Sequence, residues 1–438
     1  MRTFRLLCIA VGVLLATPQL ALSQESSPAS FVRIESGDRN LSTQIADALQ
    51  RFQRDHKRDG FWIGFTLAIR DGIEFDELYI HDGGGITISR GGRGGVFIDD
   101  DDDFNWREER RRRSEAGRVI NYKVDELSVF VQLDAKSAEV RRIKASSYPP
   151  REKWFRDAPG YWLTDVDSGD SFDYFAALIN NPNYNKKIIE PAICLISLHD
   201  HPQATPLLAG IAGGDLHFEI RKSAGFWLGQ IPGEESFAAL LKLFDKEKDH
   251  ELRENLVFAI SQHRSEKVVP QLEKIARSDE NFDIREKAIF WLGQTNREDA
   301  LDILIDLMKG TPSDLKEKIV FSISQHESER AVPLLIEVAE SDRDREVRKQ
   351  AIFWLGQMAG KKTLHALGEI VDSSPETELK EQAVFAISQH GDNDEAFEML
   401  VDIAKNNPNP QVRKKAIFWL SQTDDERALD FFKEILVK

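Results

Sequence analysis

From about residue 186 to the C-terminus, apolar residues return at a regular interval. SERAVPLLIEVAES (Ser328–Ser341) puts Val332, Leu335 and Val338 on one helical face. DREVRKQAIFWLGQ (Asp344–Gln357) opens with acids that suit a helix N-terminus and continues with a second apolar face. The aromatic-led part of this second segment sets the register. It reads CLISLH at Cys194, FWLGQ at Phe226, FAISQH at Phe258, FWLGQ at Phe290, FSISQH at Phe321, FWLGQ at Phe353, FAISQH at Phe385 and FWLSQ at Phe418. The steps are 32, 32, 32, 31, 32, 32 and 33 residues, and the two alternating versions make a superperiod near 64. Two helices of about 10–14 residues cannot bury their faces alone, whereas stacked pairs can. The pattern therefore predicts a right-handed α-solenoid over residues 186–438.

The first half alternates differently. Residues 24–54 are polar, with one amphipathic helix over Leu41–Phe52. Strand-like runs follow at Phe61–Ile69, Phe75–Asp82, Gly85–Arg90, Val119–Asp125, Leu127–Asp134 and Ala138–Ala145, broken by glycine-rich turns. They predict a small antiparallel β domain over about 55–180, making the whole chain α+β. A charged insertion at about 91–117 carries Asp99–Asp103 and a basic run, Arg107–Arg113, and reads as a disordered loop. DVDSGDSFD (Asp165–Asp173) fails the EF-hand template, because Gly169 is one place early and Ala176 stands where the bidentate Glu would be. Ser168–Asp170 are expected to cap the helix that follows.

Residues 1–23 change the setting. Arg2 and Arg5 precede an apolar run, Leu6–Ala16, and Ala21-Leu22-Ser23 offers a cleavage site before Gln24. This is the pattern of a secretory signal peptide, predicting a periplasmic or secreted protein with no integral membrane segment after cleavage. Losing two arginines takes the net charge from −16 to −18. So acidic a chain lacks the basic footprint of a nucleic-acid binder. Cys8 leaves with the signal, so Cys194 alone supports neither an intramolecular disulfide nor a cysteine-based metal site. P-loop, GxSxG, HExxH and dinucleotide motifs are absent from the sequence, and no catalytic residue, metal or cofactor is assigned.

On a helical wheel with Ala351 at 0° and about 100° per residue, Val347, Leu355 and Trp354 define the buried face, and Phe353 falls at about 200°. Trp227, Trp291, Trp354 and Trp419 are therefore expected in the packing between second helices, interdigitating with Ala259, Ser322 and Ala386. Phe226, Phe258, Phe290, Phe321, Phe353, Phe385 and Phe418 form a ladder opposite that core. Either this stripe binds a partner or its rings stack on one another and close the groove. Gln262, Gln294, Gln325, Gln357 and Gln389, with Gln230 and Gln422, recur beside it, placed to bridge neighbouring repeats or to meet a bound peptide. His199, His263, His326 and His390 are expected at solvent-exposed helix ends, charged against the dipole.

The pattern D-x-x-V-R-x-x-A-x-x-x-L-G, written here DREVRKQAIFWLG, resembles the HEAT repeat, in particular the short HEAT-like units of phycobilisome lyases. The FWLGQ/FAISQ alternation is similar to that of secreted bacterial HEAT-repeat proteins. Lys316 and Lys380 depart from the usual Arg. The resemblance implies armadillo-like helical pairs that scaffold contacts with a protein or peptide partner in the cell envelope, on the concave face. An envelope enzyme or regulatory subunit acting through the β domain, and a small-molecule or chromophore carrier using the aromatic groove, are the alternatives.

Overall fold

The computed structural model describes residues 28, 30–35, 39–73, 77–81, 85–90, 93–98, 125–147, 152–295, 297–358, 360–390, 393–423 and 425–437. The signal segment, the aspartate and arginine runs, and the strand expected at Val119–Asp125, apart from its last residue, lie outside them. Of these described residues, those up to 70 and from 77 to 192 form one compact unit, and those at 71–73 and from 193 on form another.

The first unit is built on a sheet of strands β1 (Phe31–Ile34), β2 (Gly60–Ala68), β3 (Glu77–Ile80), β4 (Ile86–Arg90), β5 (Arg93–Ile98), β6 (Glu126–Asp134), β7 (Val140–Ser146) and β8 (Gly160–Leu163). Their order is β1-β8-β2-β6-β7-β3-β4-β5. Pairing is antiparallel from β5 through to β2 and parallel at the β2-β8-β1 edge, so the sheet is mixed rather than wholly antiparallel. The cause is the route into β8. The chain leaves β7, makes a 3₁₀ turn at Glu152–Phe155 and enters β8 without a hairpin. Within the expected insertion, Arg93–Ile98 pairs with β4.

Both faces of β2 are covered, which is why FWIGFTLA is nearly continuously apolar. On one face, helices α1 (Leu41–Asp55) and α2 (Ser168–Ile179) pack, with Phe52 stacked on Phe61 at 4.9 Å and Phe175 at 6.3 Å from Phe65. The other buries Trp62, Phe130 and Trp162 with Phe31 and Phe155. Helix α2 is capped by Asp167, whose carboxylate accepts from the backbone of Gly169 at 2.8 Å and Asp170 at 3.1 Å. The cap thus lies one residue before the expected one.

The helical region starts with α3 (Lys186–Leu198), α4 (Ala204–Ala212), α5 (Phe218–Gln230), α6 (Glu234–Lys246), α7 (His250–Gln262), α8 (Val268–Ser278), α9 (Phe282–Gln294) and α10 (Glu298–Leu307). It goes on with α11 (Ser313–Ser324), α12 (Ala331–Ser341), α13 (Arg345–Gln357), α14 (Lys361–Ser373), α15 (Thr377–Ser388), α16 (Asp394–Asn406), α17 (Pro410–Leu420) and α18 (Glu426–Val437). Odd-numbered members from α3 on are the second helices of the repeats, and each from α5 packs on the next. Asp249, Asn281, Asp344 and Asn409 cap four of them by accepting backbone N–H bonds.

Successive repeats are tied by a recurrent ion pair. The basic residue of the V-R position reaches the acid in the loop before the next second helix. Arg253 meets Asp279 at 2.6 Å, Lys316 meets Asp342 at 2.8 Å and Arg348 meets Glu376 at 2.6 Å, with Arg221 likewise on Glu247. Asp279 and Asp342 also accept a backbone N–H two residues on, so one carboxylate shapes the turn and holds the neighbour. Lysine at 316 keeps the tie. Lys380 instead donates to the Asp372 carbonyl at 2.9 Å.

Candidate functional site

A second helix in the middle of the stack is covered by its own first helix and by the second helices before and after it. Its buried arc is correspondingly wide. On α13, Val347, Ala351, Ile352 and Leu355 are fully buried, and Gly356 is buried too. On the wheel this arc runs from about −40° to about +140°, which leaves both Phe353 and Trp354 on its margins, half-buried. Trp227 is fully buried, at 2% exposure, whereas Trp291, Trp354 and Trp419 are half-buried, although each still packs against the preceding second helix. A wheel centred on one neighbour misses the two lateral ones.

The small residues expected to receive tryptophan receive glycine instead. A β-carbon on Gly229 would stand 2.6 Å from the Ala259 carbonyl oxygen, one on Gly293 2.7 Å from that of Ser322, and one on Gly356 2.7 Å from the Ala386 β-carbon. Glycine thus lets each tryptophan-bearing helix (α5, α9, α13) approach the serine-bearing helix after it (α7, α11, α15). At these junctions the phenylalanines stack nearly parallel. Phe226 lies on Phe258 at 5.8 Å and 19°, Phe290 on Phe321 at 6.1 Å and 14°, and Phe353 on Phe385 at 6.4 Å and 16°. At the next junction the serine-helix Phe meets the incoming tryptophan. Phe258 and Trp291 are 4.7 Å apart, Phe321 and Trp354 4.9 Å, and Phe385 and Trp419 5.0 Å. Each tryptophan also lies edge-on to the Phe beside it, at 4.9–5.2 Å.

The rings therefore form one unbroken aromatic strip from Trp227 to Phe418. The two readings of the Phe ladder are not exclusive, since the rings stack and yet Phe258, Phe290, Phe321, Phe353 and Phe385 stay half-exposed. Phe226 is buried at one end of the strip, and Phe418 is 49% exposed at the other. In the middle lies a cleft of about 460 Å³ lined by Phe290, Trp291, Phe321, Ser322 and Trp354, with Glu286, Lys287, Glu317, Lys318 and Gln350 at its sides. Ser322 is 1% exposed, and its hydroxyl has no hydrogen-bond partner among the described residues. The charges beside the strip pair with one another, Lys287 with Glu254 at 3.2 Å and Lys318 with Glu286 at 3.0 Å.

Four of the glutamines bond within their own helix end. Gln262, Gln325, Gln389 and Gln422 donate to the serine just before them at 3.2–3.4 Å. Gln294 and Gln357, which follow glycine, are exposed, and Gln230 is buried. The serines in turn donate to the ladder: Ser324 to the Phe321 carbonyl at 2.6 Å, and Ser261, Ser388 and Ser421 likewise three residues back.

The histidines correct another expectation. His199, His263 and His326 are buried, and His390 is half-buried. His263 Nδ1 accepts from the Ser265 backbone at 3.0 Å while Nε2 lies 3.0 Å from the Ser236 hydroxyl. His326 Nδ1 accepts from the Ser328 backbone at 3.1 Å, and Nε2 lies 3.1 Å from the Arg297 carbonyl. A ring accepting at Nδ1 and donating at Nε2 is neutral. Burial pushes the His263 and His390 pKa values down, in keeping with that form. His263 and His326 thus staple the end of a second helix to the first helix of its own repeat. The H-x-S spacing, with serine two places after His263 and His326, was the signal to read.

Among the described residues, no group of three or more His, Cys, Asp or Glu is placed to hold a metal ion, and no helix is long and apolar enough to cross a membrane. Cys194 is fully buried, and burial raises its pKa well above the ordinary thiol value, which leaves it protonated. In the first unit, Asp157 accepts from the Trp62 indole at 3.2 Å and the Gln132 amide at 3.1 Å. Partial burial pulls its pKa upward, but these donors and nearby Arg142 hold it below the usual carboxylate value.

HEAT repeats are matched at residues 246–324, 268–356, 310–388 and 364–438. No curated protein matches the chain. Among solved structures, human deoxyhypusine hydroxylase in complex with glycerol is similar at 16% identity over 61% of this chain and 97% of that one, with a TM-score of 0.27. The CpcE–CpcF complex of phycocyanin lyase from Nostoc is similar at 19% identity, over 54% of this chain and 95% of that one, with a TM-score of 0.28. Kap95p with RanGDP is similar at 13% identity, over 58% and 39%, with a TM-score of 0.35. The two-helix period, the V-R tie and the family match together make residues 246–438 HEAT repeats.

Proposed function

We propose that this is a secreted or periplasmic scaffold whose HEAT array takes a protein partner along the aromatic strip, on the concave side of the stack. HEAT solenoids usually bind proteins, and the observation that carries the reading is the strip itself. Its rings follow one another from repeat to repeat and stay partly open to solvent on a chain of net charge −16. A soluble protein seldom leaves a continuous apolar surface of this extent uncovered. Phe-centred positions that stack but do not close give a partner both a rigid floor and unsatisfied apolar area. The secretory reading rests on Arg2, Arg5, the apolar run and the Ala21-Leu22-Ser23 site.

A photo-crosslinking residue at Lys318, beside the strip, tests the first part against the same residue at Lys274 on α8. Envelope extracts should give one crosslinked polypeptide at position 318, lost with Phe321→Ala, and none at 274. Equal labelling at both positions, or labelling indifferent to Phe321→Ala, overturns the reading. Secretion is tested by N-terminal sequencing of the native protein, which should begin at Gln24. A cytoplasmic product that keeps residues 1–23 overturns it.

A further inference from the structure

We propose that the cleft lined by Phe290, Trp291, Phe321 and Trp354 seats an arginine side chain of the bound protein, an inference that rests on the protein-binding reading above. The charges set the sign. Seven residues before each Phe, two turns away and within about 20° of it on the wheel, stand Glu219, Glu251, Asp283, Asp314, Glu346 and Glu378. An acid in the first turn of a helix serves the dipole, so this row alone implies no ligand. The middle of the array differs in how the row is neutralised. Towards the ends, Lys222 lies 3.9 Å from Glu219 and 3.8 Å from Glu251, Lys349 3.2 Å from Glu346, and Arg345 3.3 Å from Glu378. On α11, Asp314 is exposed and has no ion pair among the described residues. The same holds for Glu317, which lines the cleft. The two lysines of the cleft do not answer it, because Lys287 is held by Glu254 and Lys318 by Glu286.

The floor adds an independent mark. Ser322 lines the cleft at 1% exposure, and its hydroxyl has no partner among the described residues. The same position is Ala259 on α7 and Ala386 on α15, so the packing of these helices does not require a hydroxyl. A buried polar atom left without a partner is unfavourable, and a donor from a ligand relieves it.

The walls show where the cation belongs. In the last repeat, Lys415 sets its Nζ 5.9 Å from the ring centre of Trp419, four residues on in the same helix. The corresponding residue before Trp354 is the neutral Gln350, and no cation of the described residues stands over Trp354. Arginine fits this vacancy better than lysine. Its flat, weakly hydrated guanidinium lies on an indole, and its fork of N–H groups can serve the Glu317 carboxylate and the Ser322 hydroxyl together.

The test uses the full chain and labelled Gly-Ser dodecapeptides in which every third residue is arginine, lysine or citrulline, the neutral isostere of arginine. Fluorescence anisotropy should show the arginine peptide binding about tenfold more tightly than the citrulline peptide and about threefold more tightly than the lysine peptide. Glu317→Gln should weaken the arginine peptide about fivefold and Ser322→Ala about threefold, the latter in a fold that already accepts alanine there twice. Glu340→Gln, which removes an exposed acid from α12, should leave binding unchanged. Parity of the arginine peptide with either comparator overturns the inference. So does full-strength binding to Ser322→Ala, or equal weakening by Glu317→Gln and Glu340→Gln. If the arginine peptide fails while an envelope polypeptide still crosslinks at position 318 in a Phe321-dependent manner, the arginine proposal falls and the scaffold reading stands. If neither is seen, both fall.

Discussion

The junction from a tryptophan helix to the serine helix after it, and the junction from that serine helix to the next tryptophan helix, solve one packing problem by opposite means. At the first, glycine removes side-chain volume, so that Gly293 and Gly356 rest on the backbone or β-carbon of Ser322 and Ala386. At the second, Trp354 and Trp419 add volume and meet Phe321 and Phe385. The sequence alternation is thus a record of two interfaces, not of two kinds of repeat.

Four substitutions separate the two junctions, beginning with the largest effect. Trp354→Ala should destabilise by about 3 kcal/mol, near the lower end for deletion of an aromatic ring because the indole is only half-buried. A Phe321→Ala/Trp354→Ala cycle in chemical denaturation should show coupling of about 1 kcal/mol. Additivity there would break the claim that this junction is an aromatic contact. Gly356→Ala should lose about 2 kcal/mol through overpacking against Ala386. The same change at exposed Gly210 in α4, where a β-carbon meets nothing, should gain up to about 1 kcal/mol of helix propensity. Two changes of the same sign would contradict the close-approach role.

Arg348→Met should cost about 1 kcal/mol or less, with an effect that shrinks in high salt, since the pair is only partly shielded. The smallest effect is that of pH. His263 has a lowered pKa when folded, so the native state binds fewer protons than the unfolded chain. Its contribution is fully present above the unfolded value near 6.5, falls as the pH drops through that value, and is gone below the folded pKa. His263→Gln should flatten thermal stability across that window, and an unchanged slope would show that the ring does not titrate there.

Much of the helical array was legible because its causes are local. Asp344 caps its helix, Val347 and Leu355 repeat at helical spacing, and the period declares itself over seven steps. What escaped depends on neighbours distant in sequence. Trp354 looks internal on an isolated wheel and is marginal once adjacent second helices bury Ile352 and Gly356. His263 looks like an exposed helix end until Ser236 and Ser265 close around it. Strands β1 and β8 have four residues each and no alternation of their own, and their pairing joins segments about 130 residues apart. Of the candidate site, the Phe ladder could be seen in the sequence. The glycine contacts that keep its rings in step could not, because glycine in a helix usually signals only lost propensity.

The alternation of junctions also constrains how such an array changes length. Removing a single repeat would set two helices of one type side by side, either glycine against tryptophan-bearing neighbour or serine helix against serine helix, with neither seam completed. Removing two consecutive repeats restores both. Viable length variants of this molecule should therefore differ by even numbers of repeats, so that the evolutionary unit is the 64-residue pair rather than the helix hairpin.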